Sequence, residues 1–458
     1  MKKIVLHGLC MLFVLCANSQ SIATKLQQAV KKLSGEPQMK YASMSLYVVD
    51  QKTGTAVFNY NGQTGLVPAS TQKVVTAAAA FELLGTDYIY QTEMSYDGSI
   101  EGEVLNGNLY IMGYGDPTLG SDRYAKTKEA IVLAKWMQAI AKLKIKKING
   151  TVVCFDKTWS SQTIPGGWIW DDIGNYFGAG AAAINWNENA YDIFLKSGNK
   201  EGDPVSVVSM SPPPADVTFV NEITVGKIGS GDNAWIYLPP YSSIGYLRGT
   251  IPPDQKAFKI AGSFPDPSRQ LRSIILEALK KNGIVVSSDG NRKEDEPAVL
   301  KILNTHVSPT LDSIVYWFMR KSINLYGEAL VKTIGFVIKN EGSTDAGIKL
   351  IRNFWKEKGI DPGSLVISDG SGLSPTNRVT TEALVNVMQY AKSRPWYNPF
   401  YNALPSFNGI KMKSGTMTGV KSFTGYVNGY SFAFIINNYS GSSSEITGKM
   451  YAVLDAMK

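Results

Sequence analysis

Ser70-Thr71-Gln72-Lys73 sets a hydroxyl and an amine three positions apart. On a helix that spacing puts both side chains on one face, a single turn from each other. A serine hydroxyl is a poor nucleophile until a base takes its proton. A lysine can be that base when burial and a second cation depress its pKa. The four residues alone say little, because S-x-x-K arises by chance in most chains of this length, and a capped helix with a surface lysine is the plain alternative. Two features favour chemistry: Val74–Ala80 is apolar or small throughout, and the chain holds only 2 histidines.

Two more polar clusters lie far downstream: 252 residues separate Ser70 from Ser322 (322 − 70), and 91 separate Ser322 from Lys413 (413 − 322). Ser322-Ile323-Asn324 falls on a helix expected to begin near Leu311, where two polar residues on an exposed face would explain it equally well. Lys413-Ser414-Gly415-Thr416 falls on a strand edge. There a lysine supplies positive charge, hydroxyls can hold a carboxylate, and a glycine lets a substrate backbone approach; a strand end with a turn is the bland account.

The scarcity of histidine and cysteine narrows the chemistry. His7, Cys10 and Cys16 all sit in the first 16 residues. Met1–Ser19 has Lys2 and Lys3, an apolar run Ile4–Ala17, then Ala17-Asn18-Ser19, the three regions of a signal peptide. A secreted or periplasmic product is therefore expected. Leu9 before Cys10 and Leu15 before Cys16 argue against a lipid anchor. After cleavage His306 and Cys154 remain, too few for an intramolecular disulfide or a zinc site of paired ligands, so no metal is expected. A Ser-His-Asp triad would need His306 as its base. No later apolar run reaches the ~20 residues of a membrane span; Val74–Leu84 comes nearest, with Glu82 inside it.

The formal net charge is +8. The Lys and Arg residues are scattered, and export argues against nucleic acid. An anionic extracytoplasmic polymer or a plainly solvated surface fits that charge. The 458 residues allow about three domains. Hydrophobic residues make up 44% and charged residues 18%, which excludes a disordered, collagen-like or multi-span membrane chain.

The elements that must position these clusters follow from periodicity. Thr24–Leu33 is an amphipathic helix ended by Gly35. In Ala42–Val49, Met44, Leu46 and Val48 alternate with Ser43, Ser45 and Tyr47, as in a half-buried strand, and a turn at Asp50–Gly54 leads to a second strand, Thr55–Tyr60. Leu66–Gly85 is a helix with Pro68 near its start and Gly85 as its stop. From Asp87 to Thr305 the texture changes to short strands, with hairpin turns at Asp97-Gly98 and Asn106-Gly107. Helices are expected there at Lys128–Leu143 and from Asp266-Pro267 to Lys281, followed by a charged linker, Asn291–Pro297. Beyond it come a helix at Leu311–Ile338, interrupted near Gly327, and another at Thr381–Ser393. Strands are expected at Lys411–Lys413, Phe423–Val427 and Tyr430–Asn437. The final helix carries Ile446, Met450, Val453, Leu454 and Met457 on one stripe. The N-terminal hairpin and helix cannot form a domain alone, so the middle region is an insertion.

In this order, on helix, helix and strand, the three clusters match the machinery of penicillin-recognising serine enzymes. The sequence resembles the serine D-alanyl-D-alanine carboxypeptidase/endopeptidase family, the class C type of low-molecular-weight penicillin-binding protein. GYGDPTLGSD (Gly113–Asp122) resembles its GDPTL segment, and Gly166–Asn189 is similar to its W-x-W-x-D…Y-x-G-A segment. ISDGSGLSPTNRVT (Ile367–Thr380) matches its DGSGLS loop, and SINLYGEAL follows its S-x-N-x-x-A/G-E pattern. The resemblance covers essentially the whole mature chain.

It implies an α+β fold: a penicillin-recognising serine transpeptidase-like domain, with an antiparallel sheet flanked by helices, carrying large β-rich inserted domains. The division expected is a signal peptide at 1–19, a discontinuous catalytic domain of 20–90 plus 306–458, and an inserted region of 91–305 in two nested smaller domains. The implied chemistry is acyl transfer without a cofactor on peptidoglycan stem peptides, with β-lactams as inhibitors. Ser70 is then the nucleophile, Lys73 the base, Ser322 the proton relay and Asn324 a holder of Lys73 and the substrate amide. The backbone N–H groups of Ser70 and Thr416 form the oxyanion hole. Lys413, Ser414, Gly415 and Thr416 bind the terminal carboxylate, and the Lys413 charge helps keep Lys73 neutral. Asp172 and Phe177 fall where the family places a side-chain pocket. The family often has an arginine directly after the DGSGLS loop; here Pro375 stands there, and Arg378 is its nearest substitute.

Without the resemblance, Gly113–Gly120 is a tight turn rather than a phosphate loop, because it lacks the GK[ST] ending. Trp168, Trp170, Tyr176, Phe177 and Trp186 are core packing before they are a sugar platform, and His306 is structural. Two rival functions keep the same scaffold: a catalytically idle peptidoglycan-binding protein, and a β-lactamase or esterase. The intact polar clusters argue against the first and the long insertion against the second.

Overall fold

The computed structural model describes residues 21–287 and 299–458; the leader and the Asn291–Pro297 linker lie outside the described residues. The two ends of the chain meet in a six-stranded antiparallel sheet. Its order is Ala56–Tyr60, Ser43–Asp50, Tyr430–Asn437, Val420–Val427, Ile410–Met417, Ser406–Phe407. Val420–Val427 and Tyr430–Asn437 turn at Asn428-Gly429, both at positive φ (42° and 84°), the conformation a two-residue hairpin of this twist needs.

Ser43–Asp50 departs from the half-buried expectation. Met44, Leu46 and Val48 join one core with Leu26, Val30, Ile446 and Met450 of the terminal helices Ile22–Ser34 and Ser443–Leu454. The opposite face is covered too: Ser45 is fully buried, its hydroxyl 2.6 Å from Thr381 Oγ1. Helices on both faces of a central strand leave it no solvent side.

The second layer is helical. In Lys73–Leu84 every residue from Lys73 to Phe81 is buried, which is why its sequence shows no polar stripe. It packs on helices Leu311–Arg320, Asn324–Lys339 and Thr381–Lys392. The expected long helix from Leu311 is two helices, and the break comes at Lys321–Ile323 rather than at Gly327. Gly327 lies inside the second helix, where the missing side chain admits the Gly370 backbone. That glycine serves close packing, not chain breaking.

Between Leu84 and Leu311 the chain builds two further cores from short strands. One sheet runs Lys301–Val307, Gln91–Tyr96, Leu109–Gly113, Val152–Phe155, and helices Glu129–Lys142 and Pro267–Lys281 contribute to its core. A separate core gathers Ile193, Leu195, Ile236, Leu247 and Ile260 from strands between Ala190 and Ser263. The fold is α+β with β-rich inserted units. The Gly113–Asp122 segment forms a buried turn in which Asp116 accepts from the Thr118 amide at 2.8 Å and its hydroxyl at 2.6 Å.

Candidate active site

Ser70 lies on a tight turn, Ala69–Gln72, that runs directly into the Lys73–Leu84 helix. Ala69, just before it, holds φ at 47°, unusual for a residue with a side chain. Lys73, fully buried, donates from Nζ to Ser70 Oγ at 2.9 Å, to Asn324 Oδ1 at 2.7 Å and to the Ser371 carbonyl at 2.7 Å. Its three hydrogen-bonding directions are all used.

Ser322 sits in the break between two helices, at φ 56°, and not on a helical face as its sequence suggests. Its hydroxyl accepts from Lys413 Nζ at 3.0 Å, and Lys413 also donates to the Ser414 carbonyl at 2.8 Å. Asn324 begins the next helix, turns its oxygen to Lys73 and donates from Nδ2 to the Phe177 carbonyl at 2.7 Å. The three clusters therefore meet, with Lys73 bonded to the first two and Lys413 joining the second and third.

The strand Ile410–Met417 passes directly beside Ser70. A methyl group on Gly415 would stand 2.8 Å from the Pro68 carbonyl and 2.9 Å from the Ser70 amide nitrogen. Only Ile410 and Lys411 pair outward, with Ser406–Phe407, so the edge from Lys413 to Thr416 has no strand neighbour on that side among the described residues. An unpaired edge offers backbone N–H and C=O groups to an extended peptide. Ser414 is half-buried, and Thr416, exposed, takes a hydrogen bond from Lys421 at 2.8 Å.

Burial dominates the charges here. Desolvation pulls Lys73 down to about 7, against the opposing pull of Asp369 and Glu328. Lys413 and Lys73 repel each other as the sequence suggests: burial and then repulsion by Lys73 push Lys413 well below the ordinary lysine range.

Two buried carboxyl groups behind Lys73 escaped the residue-by-residue reading. Asp369 accepts from Gln72 Nε2, the Gly372 amide and Asn377 Nδ2 on one oxygen, and from Trp168 Nε1 and the Ser374 amide on the other. Glu328 accepts from the Gly370 amide. Their signals were an Asp-Gly turn in DGSGLS and a lone acid one turn past Asn324 in an apolar helix.

The side-chain pocket residues are less uniformly placed. Phe177 reaches the site through its carbonyl on Asn324, and its ring meets Trp235 edge-on at 6.3 Å. Asp172 is buried, and desolvation with Asp171 nearby raises it to about 6. The Arg378 guanidinium is folded onto its own loop, donating to the carbonyls of Pro375 at 2.6 Å and Asn377 at 2.7 Å. His306 lies on strand Lys301–Val307 opposite Thr92, and the basic side chain in contact with Ser70 is that of Lys73. Trp168 and Trp186 are buried, whereas Trp170 and Tyr176 are exposed.

The D-Ala-D-Ala carboxypeptidase 3 (S13) family model matches residues 26–457. A D-alanyl-D-alanine carboxypeptidase of Actinomadura sp. is 28% identical over 91% of this chain and 82% of its own length. The crystal structure of penicillin binding protein 4 from Haemophilus influenzae superposes with a TM-score of 0.77 at 23% identity, covering 93% of this chain and 97% of that one. The same protein complexed with a β-lactam gives 0.73 at 21% identity, over 94% and 98%. With Ser70, Lys73, Ser322, Asn324 and Lys413 drawn together on that fold, the chain belongs to the D-Ala-D-Ala carboxypeptidase 3 (S13) family of serine peptidases.

Proposed function

We propose that this chain is an exported serine DD-peptidase that cleaves D-Ala-D-Ala termini and D-Ala cross-links of peptidoglycan stem peptides through an acyl-enzyme on Ser70, and that penicillin acylates the same hydroxyl. The observation that carries this reading is the Lys73 amine, buried, held near neutrality and 2.9 Å from Ser70 Oγ. Residues 20–90 and 306–458 form the catalytic part in this reading, and 91–305 the insertion.

Ser70 Oγ attacks the carbonyl carbon of the penultimate D-alanine while Lys73 takes its proton. The resulting oxyanion is held by the backbone N–H groups of Ser70 and Thr416; losing one such donor in other enzymes costs about 10²–10³ in rate. As the C–N bond breaks, Ser322 relays to the leaving amine the proton that Lys73 took from Ser70, which leaves Lys73 neutral again, with Asn324 holding it in place. Water, deprotonated by Lys73, then attacks the ester carbonyl and frees Ser70. Lys413, Ser414 and Thr416 hold the substrate's terminal carboxylate beside the open strand edge, with Gly415 leaving room for its backbone. Asp172 and Phe177 line the stem-peptide side chain, and Arg378 joins them only by giving up its loop carbonyls.

Intact-mass analysis after exposure to penicillin tests the nucleophile: the wild-type chain gains one adduct and Ser70→Ala gains none. Digestion of purified cross-linked muropeptides, read by mass, then gives the products. An adduct on Ser70→Ala, or no product from any muropeptide, would overturn the proposal.

A further inference from the structure

Behind the Lys73 amine lies a buried acid to which the mechanism above assigns no role. Glu328 stands one helical turn after Asn324, fully buried, and both its carboxyl oxygens lie near the Gly370 amide nitrogen, at 3.2 and 3.0 Å. The Gly370 carbonyl accepts from Thr76 Oγ1 at 2.7 Å, and the next carbonyl, that of Ser371, accepts from Lys73 Nζ at 2.7 Å. The loop is thus gripped at Gly370 from two helices, and the carbonyl that follows points at the base. Backbone contact makes the grip close: a methyl on Gly370 would collide with the Gly327 carbonyl and stand 2.7 Å from Val331 Cγ2.

We propose that Glu328 is a positioning residue for Lys73, acting in its protonated form through the Gly370–Ser371 backbone. The inference rests on the reading of Lys73 as the base. The proton assignment follows from how donors are shared. Asp369 collects five N–H donors on its two oxygens, as a carboxylate requires, whereas among the described residues Glu328 receives one N–H, that of Gly370, with the Ser371 hydroxyl beside it. The two facing cations are committed elsewhere. Lys73 is spent on Ser70, Asn324 and Ser371, and Lys332, one turn along the helix, donates to the carbonyls of Gln162 at 2.6 Å and Ala181 at 2.8 Å.

Two neighbouring carboxyls in a dry site do not both ionise, and the one with fewer donors keeps the proton. A protonated Glu328 needs an acceptor in turn. The Ser371 hydroxyl, buried and beside the Glu328 carboxyl, can accept from it. Burial, then the charge of Asp369, raises Glu328 to about 8. The neutral form grips the loop without adding a negative charge that would hold a proton on Lys73.

Infrared spectroscopy of the full chain at pH 7, wild type minus Glu328→Gln, tests the proton. A protonated-carboxyl C=O band present in the wild type and missing from the variant supports the inference; a carboxylate band in its place overturns it. Penicillin acylation tests the positioning. Glu328→Ala, shown folded by its melting curve, is expected to acylate at least tenfold more slowly at pH 7. Glu328→Gln, whose amide oxygen still accepts from Gly370, recovers most of that loss. Its rate also finishes rising at a lower pH than wild type, because no charge develops beside Lys73. A folded Glu328→Ala with the wild-type rate, or a Glu328→Gln as slow as the alanine variant, overturns the positioning role. Failure of the peptidase reading itself is a separate result, seen as wild-type protein that takes no adduct at all.

Discussion

Trp168 Nε1 donates to Asp369 Oδ2 at 2.9 Å, so the Gly166–Asn189 segment of the inserted region and the DGSGLS loop share one buried charge. The loop in turn supplies the Ser371 carbonyl that Lys73 contacts. The Gly166–Asn189 segment is therefore braced against the loop that contacts Lys73. Replacing Trp168 with phenylalanine keeps most of the ring volume and deletes the donor. A hydrogen bond to a charged group contributes about 1.5–3 kcal/mol. Thermal or denaturant unfolding of Trp168→Phe should show a loss of that order, together with slower penicillin acylation. Trp170→Phe is the control: Trp170 is 49% exposed, and its variant should stay within about 0.5 kcal/mol of wild type. Equal effects at the two positions would count against the brace.

The Lys73 amine gives the second prediction its sign. With its pKa drawn down to about 7 by burial, the amine is neutral above that pH and protonated below it. Only the neutral form can take the Ser70 proton. The rate of acylation by a fluorescent penicillin should therefore climb as pH rises through about 7. Lys73→Arg keeps the charge but cannot release it, since a guanidinium stays protonated in any ordinary buffer. Its rate should fall by about 10²–10⁴, the range of general-base catalysis, at every pH tested. A rate that is flat from acid to alkaline pH, or an arginine variant that acylates normally, removes Lys73 from the role of base.

Periodicity made much of this architecture readable, and what it missed has physical reasons. The strands Tyr430–Asn437 and Val420–Val427, the helix Pro267–Lys281 with Asp266 as its cap, and the buried stripe from Ile446 to Met457 were all legible, because each carries a local signature. Ser43–Asp50 is not half-buried: small polar residues on its second face suggest solvent, but Ser45 spends its hydroxyl on Thr381 and the Asn61 carbonyl under a helix. Sequence alone puts the break at Gly327, since glycine is the usual breaker, while the positive φ of a serine at 322 leaves no mark in a sequence. The grouping of Ser70, Lys73, Ser322, Asn324 and Lys413, which the structure brings into contact, was legible in motif order. Asp369 and Glu328 were not, because their importance lies in which donors reach them, a property of tertiary packing. Arg378 was chosen for its charge; its contacts with its own loop carbonyls depend on the turn after Pro375.

His306 supplies the third prediction, on stability. It is the only histidine among the described residues, is 4% exposed, and its Nε2 has no hydrogen-bond partner there. Burial, followed by the charges of Lys135 and Lys126, lowers its pKa from 6.5 to about 4. The folded state thus binds fewer protons at this site than the unfolded chain. The neutral imidazole contributes its full stability above about pH 6.5 and loses it progressively as pH falls to about 4. The shift corresponds to a loss of up to about 3 kcal/mol. Buried acids with raised pKa values, Asp116 and Glu328 among them, act with the opposite sign over acidic pH, so wild type alone gives a mixed curve. The difference between wild type and His306→Gln isolates the histidine. Denaturant unfolding at about pH 7.5, 5.5 and 4 should show wild type losing ground to the glutamine variant at each step down. A difference that stays constant across that range would mean that His306 takes up its proton as readily in the folded chain as in the unfolded one.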